Sequence, residues 1–247
     1  MENINNTYFD GYYKDIWRAI IPPEFSVKEA EFIQQYFNLN HESKVVDVMC
    51  GYGRHTIALA QKGVNVTAVD NLQEYINEIK EIAEKKSLPI KAIQADVLRF
   101  YTNDIFDLAL CMGNSLNFFN ANDTSRLLSS IAANLKKKGH LFINTWSLTE
   151  IAIKHFKENS WTTVDELKFL NASKYLFHPT RIETESTIIA PNGDTETKTA
   201  IDYIFSVAEM EAMLMQAGFS LKEIYSVPGR KKFNLGDSRA YIVAEKI

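Results

Sequence analysis

The chain has 247 residues, of which 46% are hydrophobic and 23% charged, a composition typical of globular proteins and sufficient for one sizeable α/β domain. A formal net charge of -4 gives no broad attraction to phosphate backbones or anionic lipids, which argues against nucleic acid and membrane partners. No apolar run reaches the roughly 20 residues of a spanning helix, and the N-terminal residues lack a secretory signal, so we expect a cytoplasmic protein.

Cysteines and histidines are few and show no spacing typical of metal ligands, so the sequence predicts no metal site. Cys50 and Cys111 fall at the ends of predicted strands and not in a CxxC motif. We therefore expect both to be reduced thiols packed within the fold.

The first regular elements follow an aromatic-rich N-terminal segment. Ser26 and Glu29 have the spacing of a capping box and predict the start of the first helix. The compact apolar run at 45–49 then predicts a strand buried on both faces. A helix over 56–61 and a strand over 64–69 complete a βαβ unit.

Helices and strands continue to alternate as far as residue 145. The patterns predict a helix over 72–87, strands over 90–95 and 106–112, a helix over 124–137 and a strand over 141–145. Asp123 is the predicted N-cap of the helix at 124–137, and the basic run 136–138 lies at its C-terminus, where the helix dipole favours solvated cations. The alternation predicts a doubly wound parallel sheet.

The pattern changes over 147–205, where aromatic and β-branched residues alternate with polar ones and a Pro-Asn-Gly-Asp turn occurs at 191–194. This predicts an inserted antiparallel β segment, which can be a lid over a substrate or a dimer surface. A second capping box, Ser206 to Glu209, opens another helix, and strands over 220–227 and 239–245 follow. We expect an N-terminal helical cap at 1–40, a core domain at 41–146 and 206–247, and the insert at 147–205.

Candidate ligand-binding residues lie at the ends of three predicted strands. After the first strand, Gly51 and Gly53 let the backbone approach a ligand, and the next helix directs free N–H groups into the same space. Asp70 ends the second strand, where an acid can accept hydrogen bonds from both hydroxyls of a ribose. Asp96 ends the third strand and can accept one from an adenine amino group. Together these residues predict an adenosine-type ligand.

The stretch from Val45 to His55, which contains Cys50-Gly51-Tyr52-Gly53-Arg54-His55, resembles motif I of the class I S-adenosylmethionine-dependent methyltransferases. The segment 106–115 resembles motif IV of that family, whose exit loop borders the methionine end of the cofactor. The resemblance covers 44–145 and implies a Rossmann-like seven-stranded sheet of order 3-2-1-4-5-7-6 with its last strand antiparallel. It also implies S-adenosylmethionine as the cofactor, S-adenosylhomocysteine as its product, and in-line methyl transfer to an oxygen, nitrogen or carbon atom of a small molecule.

The resemblance and the strand-end positions together give the expected site. The expected cofactor contacts are Asp47, Cys50, Gly51, Tyr52, Gly53, Asp70, Asn71, Leu72, Asp96, Val97, Cys111, Met112 and Gly113. Tyr12 and Tyr13 are candidate covers for the positively charged sulfonium, although the N-terminal aromatics can instead dock the first helix on the sheet. The candidate acceptor contacts are Asn114, Asn117, Phe118, Trp17 and Arg18.

Two positions depart from the family pattern, and no catalytic residue is visible. Met49 stands where the family usually has the first glycine of the loop. The segment 112–115 is not an Asn-Pro-Pro-Tyr signature, which counts against nucleobase and glutamine acceptors. We interpret His55 as a helix-opening residue that supports the loop and not as a base.

Two other functions stay open at this point. A nucleotide-dependent dehydrogenase also needs a glycine loop and an acid such as Asp70, but Thr56 stands where its third glycine is expected. A non-catalytic module could use the same fold to bind a partner through the aromatic insert. Either a monomer or a homodimer is compatible with the sequence.

Overall fold

The computed structural model describes residues 3–247; Met1 and Glu2, which begin the predicted cap at 1–40, lie outside the described residues. The α-helices in this range are α1 Tyr12–Ile20, α2 Pro23–Tyr36, α3 Arg54–Ala60, α4 Gln73–Lys86, α5 Ala121–Ala133, α6 Thr149–His155 and α7 Val207–Gln216. The strands are β1 Lys44–Val48, β2 Asn65–Asp70, β3 Ile90–Gln94, β4 Phe106–Cys111, β5 Leu135–Thr145, β6 Asn159–Val164, β7 Leu167–Phe177, β8 Thr180–Ile189, β9 Thr195–Tyr203, β10 Phe219–Val227, β11 Lys231–Lys232 and β12 Ala240–Lys246. Short 3-10 helices span Ile4–Thr7 and Ser115–Phe118. None of the described helices has both the length and the apolar character needed to cross a membrane.

The larger sheet, over the described part of the chain, has eight strands in the order β11-β10-β12-β5-β4-β1-β2-β3. Pairing is parallel from β3 through β2, β1 and β4 to β5, and antiparallel where β12 lies between β5 and β10. The strands β6 to β9 belong to a separate sheet, so β10 and β12 correspond to the sixth and seventh strands of the predicted order. The predicted order 3-2-1-4-5-7-6 and its antiparallel last strand are therefore confirmed. The strand β11 was not predicted, since its two residues are too few to form a pattern.

Apolar side chains cover both faces of this sheet. On one face, Val45 and Leu108 belong to a core that includes residues of α2 and α3. On the other face, Val46 and Ala109 belong to a core that includes residues of α5 and α7. Successive residues of β1 therefore enter opposite cores, which explains why the strand reads as a continuous apolar run.

A second, antiparallel sheet is built from the inserted region. Its strands lie in the order β6-β7-β8-β9, which confirms the predicted antiparallel β segment. The predicted turn joins β8 to β9: Gly193 has a φ of 89°, and its N–H donates to the Ala190 carbonyl at 2.9 Å. The sequence did not predict α6, which precedes this sheet. The division of the chain into cap, core and insert stays a prediction.

The predicted capping box at Ser26 and Glu29 is wrong. The helix α2 begins earlier, at Pro23, whose ring fixes φ at a value suited to a first helical turn. Ser26 and Glu29 are buried within the helix, and both accept hydrogen bonds from Arg54. The two side chains therefore serve a tertiary contact with α3.

The predicted helix at 124–137 is wrong at both ends. The N-cap is Asn120 instead of Asp123, because the Asn120 side chain accepts a hydrogen bond from the Asp123 backbone N–H. The helix α5 ends at Ala133. The cap thus lies one helical turn upstream of its predicted position.

The basic run 136–138 lies in a strand and not at a helix C-terminus. Pairing begins where Leu135 of β5 lies opposite Phe106 of β4. The Lys136 Nζ atom is 2.6 Å from the Asp107 carboxylate. Sheet pairing therefore overrides the local helical pattern.

Candidate functional site

The loop between β1 and α3 adopts left-handed backbone conformations that favour glycine. Gly51 has a φ of 55° and Gly53 a φ of 78°. A Cβ atom at Gly53 would lie 2.7 Å from Cγ1 of Ile79, so the close approach of α4 requires a glycine there. A Cβ atom at Gly51 would meet no other atom within 4 Å, because this residue borders open space. The loop therefore presents bare backbone to a cavity.

Met49, which departs from the family pattern, also has a left-handed backbone, with a φ of 57°. This conformation costs a non-glycine residue about 1–2 kcal/mol. The Met49 side chain is partly buried against the core that includes residues of α5 and α7. The backbone geometry explains why a glycine is usual at this position in the family that motif I resembles.

Asp70, at the end of β2, organises the loop from the side. Its Oδ2 accepts the backbone N–H of Gly51 at 2.8 Å, and its Oδ1 accepts that of Leu72 at 3.0 Å. Burial raises the pKa of the Asp70 carboxyl group above its ordinary value, while the backbone donors of Leu72 and Gly51 act in the opposite direction. Each carboxylate oxygen retains a further lone pair for a ligand.

A buried polar network holds the start of α3 beneath the loop. Glu29 lies at its centre, where its carboxylate contacts Arg54, His55 at 2.9 Å and the Tyr241 hydroxyl at 2.6 Å. Burial acts to raise the pKa of Glu29, but His55 and Arg54 outweigh it and lower the pKa to about 2. The contact of His55 with Glu29 agrees with a supporting role for the histidine. Asp47 is also buried and accepts the Thr56 hydroxyl at 2.7 Å.

A cavity of about 350 Å³ lies over the carboxyl ends of β1 to β4. One wall, which we call the sheet side, consists of residues 49–52, 70–72, 95–97 and 112–115. The opposite wall, which we call the cover side, consists of Asn3, Asn5, Asn6, Tyr8, Phe9, Tyr13, Trp17, Ser160, Phe169, Asn171, Ser173, Thr184, Ala200 and Asp202. The cavity is thus enclosed between the central sheet and elements that are remote in sequence.

Most of the predicted site residues meet at this cavity. Those that line it are Asp47, Cys50, Gly51, Tyr52, Asp70, Asn71, Leu72, Asp96, Val97, Met112, Gly113, Tyr13, Asn114, Phe118 and Trp17. Asp70 is 7% exposed, whereas the Asp96 side chain is 47% exposed and lies 3.6 Å from Arg99. The two acids therefore differ in solvent access while facing the same cavity.

Three predicted cofactor contacts lie outside the cavity lining. Gly53 packs against Ile79 of α4, and Cys111 is fully buried in β4. Tyr12 packs with the apolar cluster that contains Ile16 of α1. Gly53 and Cys111 therefore lie behind the residues that line the cavity. Of the two predicted aromatic covers, Tyr12 and Tyr13, only Tyr13 lines the cavity.

Two predicted acceptor contacts, Arg18 and Asn117, also lie outside the cavity lining. Arg18 pairs with Glu78 of α4, and its guanidinium carbon is 4.8 Å from the centroid of the Tyr52 ring. Asn117 is fully buried, and its amide donates to the carbonyls of Ser147 at 3.0 Å and Tyr203 at 2.8 Å. Both residues hold elements together and do not line the cavity, so a contact of either residue with the acceptor stays a prediction.

Several lining residues were not among the predicted site residues. Trp146 follows β5 directly, so its position at a strand end was a signal that could have identified it. Its ring centroid is 5.8 Å from that of Trp17 on α1. Asn5 and Asp202 had no local signal, because the first lies in a 3-10 helix and the second in an antiparallel strand.

A second cavity of about 550 Å³ adjoins the first and shares part of its lining, namely Trp17, Arg54, Trp146 and Asp202. Its other residues are mostly apolar, among them Ile20, Ile21, Pro22, Phe25, Ile151, Ala152, Phe156 and Ile182. The tryptophan pair and Asp202 therefore lie between two adjoining spaces.

Part of the chain is similar in sequence to known methyltransferases. Residues 45–139 match the family model described as "Methyltransferase domain". The chain is 26% identical over 148 residues to a glycine/sarcosine N-methyltransferase of Halorhodospira halochloris, covering 58% of this chain and 54% of the relative. It is 32% identical over 125 residues to a ubiquinone biosynthesis O-methyltransferase of Actinobacillus pleuropneumoniae serotype 7, covering 48% of this chain and 52% of the relative. The chain thus spans about half the length of these two relatives.

A solved structure shares the fold over nearly the whole chain. It is a S-adenosylmethionine-dependent methyltransferase from Clostridium acetobutylicum ATCC 824, with a TM-score of 0.81 and 18% identity. The match covers 95% of this chain and 96% of the other. The likeness therefore includes the N-terminal segment and the inserted sheet as well as the central sheet.

Proposed function

We propose that the chain is a class I S-adenosylmethionine-dependent methyltransferase and that it transfers a methyl group to an oxygen, nitrogen or carbon atom of a small molecule. When bound, S-adenosylmethionine supplies a methyl group on a sulfonium, which is open to in-line displacement by the acceptor. The observation that carries the proposal is the joint position of Asp70 and Asp96 beside the glycine loop, all lining one cavity.

The sheet side fits this cofactor residue by residue. Asp70 would hold the ribose hydroxyls, since its oxygens already point between the loop and the start of α4. Asp96 would accept the adenine amino group. The open space beside Gly51 leaves room for the methionine carboxylate at the N–H groups of the loop.

Aromatic side chains border the space that remains for the reacting centre. Trp17 approaches the exit loop of β4, where a Cβ atom at Gly113 would lie 3.7 Å from the Trp17 ring. Tyr13 and Trp146 line the same cavity. Such faces would favour a positively charged sulfonium and exclude water from it.

The acceptor would lie beneath the second sheet, against the cover side. Methyl transfer from a sulfonium needs the nucleophile held in line, and positioning can supply much of the rate enhancement. Phe169, Asn171 and Thr184 of β7 and β8 give this wall mixed apolar and hydrogen-bonding character. A small molecule with both apolar and polar groups would match it.

Calorimetric titration with S-adenosylmethionine, S-adenosylhomocysteine and NAD tests the proposal. We expect both adenosyl ligands to bind and NAD not to bind, because Thr56 is fully buried where a dehydrogenase needs its third glycine. Asp70→Ala should weaken binding of S-adenosylmethionine roughly 100-fold, because two backbone donors and the ribose lose their acceptor.

The matched control is Glu211→Ala, which removes an exposed carboxylate on α7, away from the cavity lining, and should leave the affinity unchanged. Binding of NAD without S-adenosylmethionine would overturn the proposal in favour of a dehydrogenase. Binding of the cofactor without methylated product from any small-molecule extract would favour a non-catalytic binding module.

A further inference from the structure

Asp202 of β9 lies where the two cavities meet and lines both of them. Its Oδ1 accepts a hydrogen bond from Nδ2 of Asn114 at 2.8 Å. Asn114 is itself fixed, because its Oδ1 accepts the Thr145 hydroxyl at 2.9 Å and the Trp146 N–H at 2.9 Å. The carboxylate is therefore held in one place, beside the exit loop of β4.

No cation neutralises this carboxylate within residues 3–247. The groups that influence it most are the Asn114 amide and the Ser147 hydroxyl, both of which are neutral. On the N-terminal segment, the phenols of Tyr8 and Tyr13 have pKa values that are raised by burial and further by the charge of Asp202. Both phenols stay neutral at physiological pH. The basic side chains that line the second cavity, Arg54, His155 and Arg239, form no ion pair with Asp202, and Arg54 pairs instead with Glu29. Among the described residues the acid therefore has no counterion.

Burial raises the pKa of Asp202 to about 7. Such a group is poorly solvated as a carboxylate and gains most from a ligand that brings positive charge and N–H donors. An alcohol or a carbon acid has neither a positive charge nor N–H donors. A protonated alkylamine has both.

We propose that Asp202 binds the amino group of the methyl acceptor and accepts one proton from it, and that the acceptor is therefore an amine with an apolar body. The nitrogen lone pair freed in this way would then displace S-adenosylhomocysteine from the methyl carbon. This inference rests on the proposed methyl transfer and names its substrate class. The amino group would lie between Asp202 and the tryptophan pair Trp17 and Trp146, next to the reacting end of the cofactor site. From Asp202 on the cover side, the apolar body would extend into the second cavity, against Ile21 and Phe156.

The test uses 2-phenylethylamine and hexylamine, each matched with the alcohol of the same skeleton, titrated into the full chain with and without saturating S-adenosylhomocysteine. We expect at least one amine to bind at least about tenfold more tightly than its alcohol. Asp202→Asn should remove this preference and leave the affinity for S-adenosylmethionine within about twofold. The control Glu185→Gln makes the same chemical change at an exposed position of β8 and should preserve the preference.

Other outcomes overturn the inference. Equal binding of each amine and its alcohol, or no binding of any amine, would exclude recognition through Asp202. A loss of S-adenosylmethionine affinity in Asp202→Asn that matches the loss of amine affinity would assign the residue to the cofactor instead. Failure of the wild-type chain to bind S-adenosylmethionine would refute the proposed function, a result distinct from cofactor binding without amine preference.

Discussion

The two walls of the cavity over the carboxyl ends of β1 to β4 are built in different ways. On the sheet side, each residue ends or follows a strand of the larger sheet, so the parallel pairing of β2 and β3 brings Asp70 and Asp96 to one edge without any special contact. The cover side depends on contacts between residues that are far apart in sequence, such as Asn5 and Ile201, which are 196 residues apart. The first wall is a consequence of the fold, whereas the second depends on particular polar contacts.

Polar and charged contacts hold the cover side in place. Asn5 donates to the Ile201 carbonyl and accepts the Ile201 N–H, both at 2.8 Å, and so pairs the free edge of β9. Lys198 of β9 pairs with Asp10, and Lys14 of α1 lies 3.0 Å from Glu74 of α4. Partly exposed ion pairs of this kind each contribute about 0–1 kcal/mol. We therefore expect the cover side to open locally while the sheet side stays folded.

The largest effect should come from Glu29→Ala, which removes the support beneath the sheet side. The change leaves Arg54 and His55 buried without their acceptor, so the free energy of unfolding should fall by about 3–5 kcal/mol. Urea denaturation measures this loss. Glu31→Ala, on the same helix but at a carboxylate 49% exposed and 3.6 Å from Lys62, should change stability by less than about 1 kcal/mol.

The lowered pKa of Glu29 predicts that the stability of the fold depends on pH. The pKa of Glu29 falls from an ordinary 4.5 to about 2 in the folded chain, so its contribution to stability is complete above pH 4.5 and is lost as the pH falls towards 2. Wild-type stability should drop across this window more steeply than that of Glu29→Gln. Parallel curves for the two proteins, or equal stability of Glu29→Ala and Glu31→Ala, would contradict the supporting role of Glu29.

A smaller and local effect is expected from Asn5→Ala, which should loosen the cover side alone. The Ile201 N–H loses its acceptor, and its hydrogen exchange should accelerate about tenfold, corresponding to roughly 1.4 kcal/mol. Mass spectrometry should find no change in β1. Asn6→Ala, at the next residue, lacks these contacts and should exchange like the wild type. Equal acceleration in β1 would mean that the two walls are not independent.

The smallest effect concerns the strained residue of the sheet side, Met49. Both Met49→Gly and Met49→Ala lose the packing of the side chain, but only glycine relieves the left-handed backbone with its φ of 57°. The glycine variant should therefore be more stable than the alanine variant by about 0.5–1 kcal/mol in urea denaturation. An alanine variant that equals or exceeds the glycine variant would show that the backbone at this position carries no strain.

The differences between prediction and structure arise where a residue has partners that are remote in sequence. The helix at 124–137 was predicted too long because pairing with β4, which is remote in sequence, turns residues 135–138 into a strand. Glu29 was predicted to be part of a capping box from its spacing to Ser26, whereas its actual partners Arg54 and Tyr241 are distant along the chain. Local patterns contain no information about such partners.

The sequence alone determined the strands of the central sheet and the residues at their carboxyl ends, and the resemblance to the methyltransferase family implied the strand order. Strands buried on both faces need continuous apolar runs, and residues at their carboxyl ends converge wherever the strands pair in parallel, so Gly51, Asp70 and Asp96 were identifiable one by one. Only the tertiary structure decided the opposite wall. The position of Asp202 depends on the register of an antiparallel sheet and on how Asn114 anchors it, and neither leaves a periodic pattern in the chain.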